Sequence, residues 1–219
     1  CKVTKSYYSY DYNRKDMIKV KNIYITMQVV SNVHYVNLDT VTKDLNPKLE
    51  EFIRNKGDEM ERKTNVKADM THYQTVCEPF EELHKIIMPY VGQFFCLQAK
   101  NPDTEIFLPE FFETWGAIYR KGDYTDRHVH EPSKLSWIYY VKASSQSAPL
   151  YIHQIINEKG ERETFQIPPK TSDLVIFPSW TPHSVPTQES DEERICVAGN
   201  INLPLDKDKS QKYYDMFKK

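Results

Sequence analysis

Residues 119–130 read YRKGDYTDRHVH, and residues 173–197 read DLVIFPSWTPHSVPTQESDEERICV. On a β-strand, residues i and i+2 point to the same face, so His128 and His130 can aim at one point. His183 follows the strand-like run Asp173–Phe177 and the Pro178-Ser179 break, and is expected on a turn marked by Pro182 and Pro186. Three imidazole donors with coordination positions left open form the ligand pattern of a mononuclear, oxygen-activating metal site. Arg194 stands eleven residues after His183 and opens the apolar run Ile195–Ile201. It is therefore expected at the start of a buried strand, where an unpaired charge is costly.

The surrounding half of the chain reads as strand after strand. Strands are expected over Thr114–Tyr119, Lys134–Lys142, Leu150–Ile156, Glu163–Ile167, Asp173–Phe177 and Arg194–Ile201, with a hairpin tip at Glu158–Glu161. Many short strands with turn signals between them indicate a sandwich or barrel. The first half differs. Two strands fit residues 23–30 and 33–38, whereas 1–22 show little periodicity. Asn46-Pro47 has the form of an N-cap followed by proline in the first helical turn. Leu49, Phe52 and Ile53 supply the stripe of an amphipathic helix. Residues 57–70 are charged, with the character of a solvated loop or frayed helix. A second helix fits 78–95, with Phe80, Leu83, Ile87, Val91 and Phe94 on one face, and Pro89 is expected to kink or split it. Residues 204–219 form a charged tail able to make a terminal helix. The expected organisation is one domain over 1–219, with N-terminal strands and supporting helices in 1–105 and the β-rich core in 106–203.

With 219 residues, 39% hydrophobic and 13% aromatic, a sizeable core is feasible. A formal net charge of −2 argues against a general nucleic-acid binder, which needs a basic excess. No run reaches the length of a transmembrane helix, and no apolar stretch with a cleavage site opens the sequence, so no membrane association is expected. The four cysteines show no C-x-x-C spacing and read as reduced thiols of a cytoplasmic protein.

Several motifs occur in a fixed order: Trp115 and Tyr119, Gly122-Asp123, H-x-H at His128–His130, LSWIYYV at Leu135–Val141, SDLVIFPS at Ser172–Ser179, His183-Ser-Val, and Arg194-Ile followed by Asn200. In this order they resemble the Fe(II)/2-oxoglutarate (2OG)-dependent oxygenases, most closely the prolyl-hydroxylase-like and phage- or bacterial-type branch. The resemblance implies a mostly β fold with supporting helices, built on a double-stranded β-helix core (jelly roll, cupin-like). It implies Fe(II) as the metal, held by His128 and His183 with His130 at the position of the third ligand, and 2OG as cosubstrate, its distal carboxylate gripped by Arg194. A guanidinium fits a carboxylate in a bidentate fork. Tyr119 and Tyr140 match positions near the cosubstrate. Tyr139 is adjacent, and strand alternation lets only one of that pair face the pocket. The implied partners are 2OG, O2 and an unidentified substrate, either a peptide or protein proline or a small molecule.

One departure stands out, because the family usually places a carboxylate where this chain has His130. Three neutral ligands leave the site one unit more positive. Either His130 ligates, or a water or chloride takes its place; Asp126 precedes His128 and is poorly placed to substitute. Two alternatives follow: a three-histidine, cupin-like dioxygenase that does not use 2OG, and a catalytically silent ligand-binding β-helix domain. His34, His72, His84 and His153 read as ordinary hydrogen-bonded histidines.

Overall fold

The computed structural model describes residues 7–11, 16–20, 33–56, 65–98, 110–156 and 162–202. Eleven strands and two helices within these segments build the site. A six-stranded sheet has the order β3-β11-β8-β13-β6-β5, and a five-stranded sheet has the order β10-β9-β12-β7-β4. The first comprises β3 (His34–Asn37), β5 (Asp69–Met70), β6 (Glu110–Tyr119), β8 (Leu135–Lys142), β11 (Asp173–Pro178) and β13 (Arg194–Asn202). The second comprises β4 (Val66–Lys67), β7 (Tyr124–His128), β9 (Leu150–Ile156), β10 (Arg162–Ile167) and β12 (His183–Val185). All ladders within the two sheets are antiparallel.

The central strands are covered on both faces. Side chains alternate along β8 and β13, and each set meets a different apolar layer. Trp137, Tyr139, Val141, Ile195 and Val197 face helices α2 (Leu45–Lys56) and α3 (Glu78–Gln98), which bury Leu49, Ile53, Phe80, Leu83, Ile87 and Val91 against them. Ile138, Tyr140, Cys196 and Ala198 face the second sheet, meeting Leu150, Ile152 and Val185. This two-layer arrangement, mostly β with few helices, is the jelly-roll core expected. Gly116 lets α2 lie close to the sheet, because a Cβ there would stand 2.5 Å from Ile53 Cγ1.

The structure corrects several readings. Residues 65–70 are neither loop nor frayed helix: β4 and β5 form there, with Ala68 and Met70 buried. Their apolar residues alternate with period two among charges. Helix α2 begins at Leu45, so Asn46 lies inside the first turn rather than capping it. Its side chain turns to the sheet, where Oδ1 accepts the Tyr139 hydroxyl at 2.6 Å and Nδ2 donates to Ser172 at 3.0 Å. Helix α3 runs unbroken through Pro89. That residue is exposed, so the missing hydrogen bond falls on the solvent side. Tyr7–Asp11 and Asp16–Val20 pair as an antiparallel hairpin, β1 and β2, in a stretch whose sequence shows little periodicity. A four-residue helix, α1 (Asp39–Thr42), precedes α2. The expected strand at 23–30, the hairpin tip at 158–161 and the tail from 204 lie outside the described residues.

Candidate metal centre

His183 is not on a turn; it opens the short strand β12 and sits directly across the ladder from His128 on β7. Both strands were invisible to hydrophobic periodicity, since YTDRH has no apolar alternation and HSV is too short to show any. His130 lies just past the end of β7, so strand alternation does not place it. Its backbone N–H donates to the Ser179 carbonyl at 2.8 Å, tying it to the turn after β11.

These three side chains converge. Their candidate ligand atoms all lie within 4.8 Å of one another, and this is the group among the described residues that could hold a metal ion. His128 Nε2 and His130 Nε2 are 3.1 Å apart. Two adjacent ligands about 2.1 Å from one ion stand about 3 Å apart, so that spacing suits a shared metal. The outer nitrogens of two rings are fixed by acceptors: His128 Nδ1 lies 2.8 Å from the Asp126 carbonyl, and His183 Nδ1 2.9 Å from the Thr181 carbonyl. A carbonyl can only accept, so in each ring Nδ1 carries the proton and the Nε2 lone pair faces inward. Asp126 thus contributes its main chain, not its carboxylate. Burial lowers the pKa of all three imidazoles, His130 to about 3 and His183 well below the ordinary value, with the neighbouring His128 adding to both. They are neutral at physiological pH, the form that ligates.

Arg194 is the second half of the site. It is 1% exposed, and its guanidinium carbon lies 4.6 Å from the Tyr119 ring centre and 5.1 Å from that of Tyr140. Its Nε and Nη1 atoms, and the Tyr140 hydroxyl, are buried without a hydrogen-bond partner. A buried cation with idle donors is costly unless an anion meets it. The Tyr119 hydroxyl is instead held by Thr125 Oγ1 at 2.7 Å. Tyr139 points away from the pocket to Asn46, so the adjacent pair divides as alternation requires. The three histidines, Tyr119, Thr125 and Arg194 line one cavity between the sheets. The residues present fit a metal together with a carboxylate-bearing ligand: neutral imidazoles at one end, an unsatisfied guanidinium at the other.

The remaining histidines stand apart. His34 packs on Phe94, His84 bonds to Thr114 and stacks on Phe111, and His153 bonds to Thr164 and Ser184. Sequence reasoning missed Thr125 and the polar side chains behind His130, namely Glu113, Ser136 and Ser179. They are scattered along the chain, and no local spacing joins them.

Residues 113–200, less than half of the chain, match the family model described as "Putative 2OG-Fe(II) oxygenase". That match spans both histidine elements and Arg194, and the family implies Fe(II) and 2OG. No curated protein matches in sequence. Solved structures share the fold at low identity. A prolyl-4-hydroxylase from Pseudomonas putida superposes with TM-score 0.56 at 15% identity, over 80% of this chain and 94% of its own. A Trichoplax adhaerens prolyl hydroxylase, solved with a hypoxia-inducible-factor peptide fragment, gives 0.54 at 13%, over 84% and 87%. The α-ketoglutarate-dependent epimerase SnoN of nogalamycin biosynthesis gives 0.58 at 10%, over 78% of each chain. No described helix is long and apolar enough to cross a membrane.

Proposed function

We propose, from the premise that residues 113–200 carry a 2OG-Fe(II) oxygenase domain, that this chain is a hydroxylase whose iron is held by His128, His130 and His183. When bound, Fe(II) and 2OG supply the oxidising chemistry, in which O2 is consumed, 2OG yields succinate and CO2, and a substrate C–H bond is oxidised. The residues do the rest. The imidazoles present neutral lone pairs from two strands and a loop. Arg194 receives the distal carboxylate of 2OG, and the Tyr140 hydroxyl donates beside it. Tyr119, held by Thr125, forms the wall on which the guanidinium rests. Apolar side chains between the two sheets, among them Leu150, Phe177 and Val185, line the same cavity, and a low-dielectric surrounding strengthens such contacts.

The observation that carries this reading is the buried Arg194, with unpartnered Nε and Nη1, in the same cavity as three neutral histidines. It calls for a carboxylate-bearing ligand in the cavity, and the match to a 2OG-Fe(II) oxygenase family model favours 2OG as that ligand over the carboxylate of a substrate in a three-histidine dioxygenase without 2OG. The likeness to prolyl hydroxylases makes a peptide proline the first substrate to test, with small molecules second. A reducing, cytoplasmic compartment suits the free thiols of Cys77 and Cys196. Packing of α2 and α3 on the six-stranded sheet supports one domain for the described segments.

The test is turnover of the Fe(II)-loaded protein with 2OG, O2 and a panel of prolyl peptides and free amino acids. Succinate should form in step with hydroxylated product. Oxygen uptake that needs a substrate but no 2OG would replace this reading with the three-histidine dioxygenase.

A further inference from the structure

The cavity holds a nucleophile that the oxygenase reading leaves idle. Cys196 is a free thiol, 3% exposed, and its side chain lines the same cavity as the three histidines and Arg194. It stands two residues after Arg194 on β13, on the same face of the strand and about 7 Å along it. Arg194 pairs across the ladder with Tyr119 on β6, and Cys196 with Tyr140 on β8. The guanidinium carbon lies 4.6 Å from the Tyr119 ring centre and 5.1 Å from that of Tyr140, so it reaches from its own rung of the ladder toward that of Cys196. Its Nε and Nη1 and the Tyr140 hydroxyl are buried without partners, so an anion held there has the thiol at its side. Burial pushes the Cys196 thiol pKa up, and the Arg194 charge pulls it part of the way back. His128 and His130 are partly exposed, which opens the cavity to solvent at the metal end. Cys77, the other free thiol among the described residues, is half-buried, packs on the helix side of the first sheet and lies outside this cavity.

We propose that Cys196 is a covalent modification site for short carboxylic acids that carry an electrophilic carbon: Arg194, with the Tyr140 hydroxyl, seats the carboxylate, and the thiol attacks the carbon beside it. With an α-halo acid, a sulfur lone pair forms the S–C bond and the carbon–halogen bond breaks. The halide leaves with the electron pair, and the thiol proton passes to solvent, so the step needs no oxidant. The adduct keeps its carboxylate on the guanidinium. It therefore fills the seat assigned to the distal carboxylate of 2OG and blocks it. The proposal rests on the reading of Arg194 as the seat of a carboxylate, and not on 2OG being that carboxylate.

The test compares iodoacetate with iodoacetamide, which deliver the same carbon with and without a carboxylate. The metal-free protein is alkylated while folded, and the rates at Cys196 and Cys77 are read separately from their tryptic peptides by mass spectrometry. Both reagents meet the same thiolate at each site, so the ratio of their rates does not depend on how much thiolate is present. The iodoacetate-to-iodoacetamide ratio should be about tenfold higher at Cys196 than at Cys77, the worth of one hydrogen bond between charged groups. In Arg194→Met that excess should vanish. Saturating 2OG, with Mn(II) present, should slow alkylation of Cys196 and not of Cys77. An excess that survives in Arg194→Met overturns the proposal, as does a Cys196 that neither reagent labels. Equal ratios at the two thiols, with 2OG still protecting Cys196, overturn it and leave the 2OG reading standing. An Arg194-dependent excess that 2OG does not suppress upholds the modification site and overturns 2OG as the occupant of the seat.

Discussion

Replacing Arg194 by Met should weaken 2OG binding severely while leaving the metal-free protein as stable as before, or more so. The side chain is 1% exposed, and two of its nitrogens lack partners. Each buried unsatisfied donor costs about 1–3 kcal/mol. Exchanging a buried charged group for an apolar one of similar length is often neutral, or stabilising by about 1–4 kcal/mol. Met is unbranched and can lie between the Tyr119 and Tyr140 rings, which now flank the guanidinium. The ligand loses what the fold does not. Removing one partner of a buried, hydrogen-bonded charge pair costs about 2–5 kcal/mol, which is roughly 30- to 4,000-fold in Kd. Urea denaturation of the metal-free variant gives the first quantity, and anaerobic titration with 2OG the second. A variant that is destabilised by more than about 2 kcal/mol, beyond the range expected for an apolar exchange, and still binds 2OG normally would refute the reasoning. Arg194 would then be a structural residue.

Other predictions can be checked alongside it. The adjacent tyrosines should separate cleanly. Tyr139→Phe loses the hydrogen bond to Asn46 and should cost stability by about 1 kcal/mol, whereas Tyr140→Phe should leave stability alone and raise the Kd for 2OG. The same phenotype from both would contradict the alternation. Burial lowers the pKa of His34 to about 4 and of His84 to about 3. Between those values and the unfolded value of 6.5 the unfolded chain binds more protons, so stability is fully present above pH 6.5 and falls as pH drops toward 3. The slope should be on the order of 1.4 kcal/mol per pH unit for each such group. Urea midpoints at pH 7 and pH 5 test this, and a midpoint that does not fall would contradict the burial of these rings. Gly116→Ala puts a methyl 2.5 Å from Ile53 Cγ1 and should destabilise by about 1–3 kcal/mol. Ile53→Val should recover part of the loss, and simple additivity would show that the two sites do not touch.

The parts of this molecule that could be read in the sequence are those whose burial is periodic. Strands β8, β11 and β13 are apolar on both faces because helices cover one and a second sheet the other, so they appear as near-continuous hydrophobic runs. The stripe Phe80, Leu83, Ile87, Val91, Phe94 is buried as its spacing requires. The metal site was legible for another reason: convergent histidines and an isolated arginine at the head of an apolar run are chemically conspicuous. Where each histidine sits was not. Strand β7 is polar and β12 has three residues, so His183 looked like a turn residue, and His130 reaches its partners from a loop. Residues 66–70 hide two edge strands among charges. Pro89 is tolerated because it faces outward, a fact about tertiary placement that spacing does not carry. The polar cluster of Asn200, Glu113 and Ser136 behind His130 is the least legible of all, since it depends on β13 pairing with β6 and β8 at one register.

The central claim is that three neutral histidines and Arg194 together bind Fe(II) and 2OG. Its most direct measurement is anaerobic titration of the Fe(II)-loaded protein with 2OG, followed by visible absorption. Chelation of the metal by 2OG should produce a charge-transfer band that saturates with 2OG. The band should be lost in His183→Ala, for want of the metal, and should need far more 2OG in Arg194→Met. Iron bound by the parent with no band at any 2OG concentration would contradict the claim.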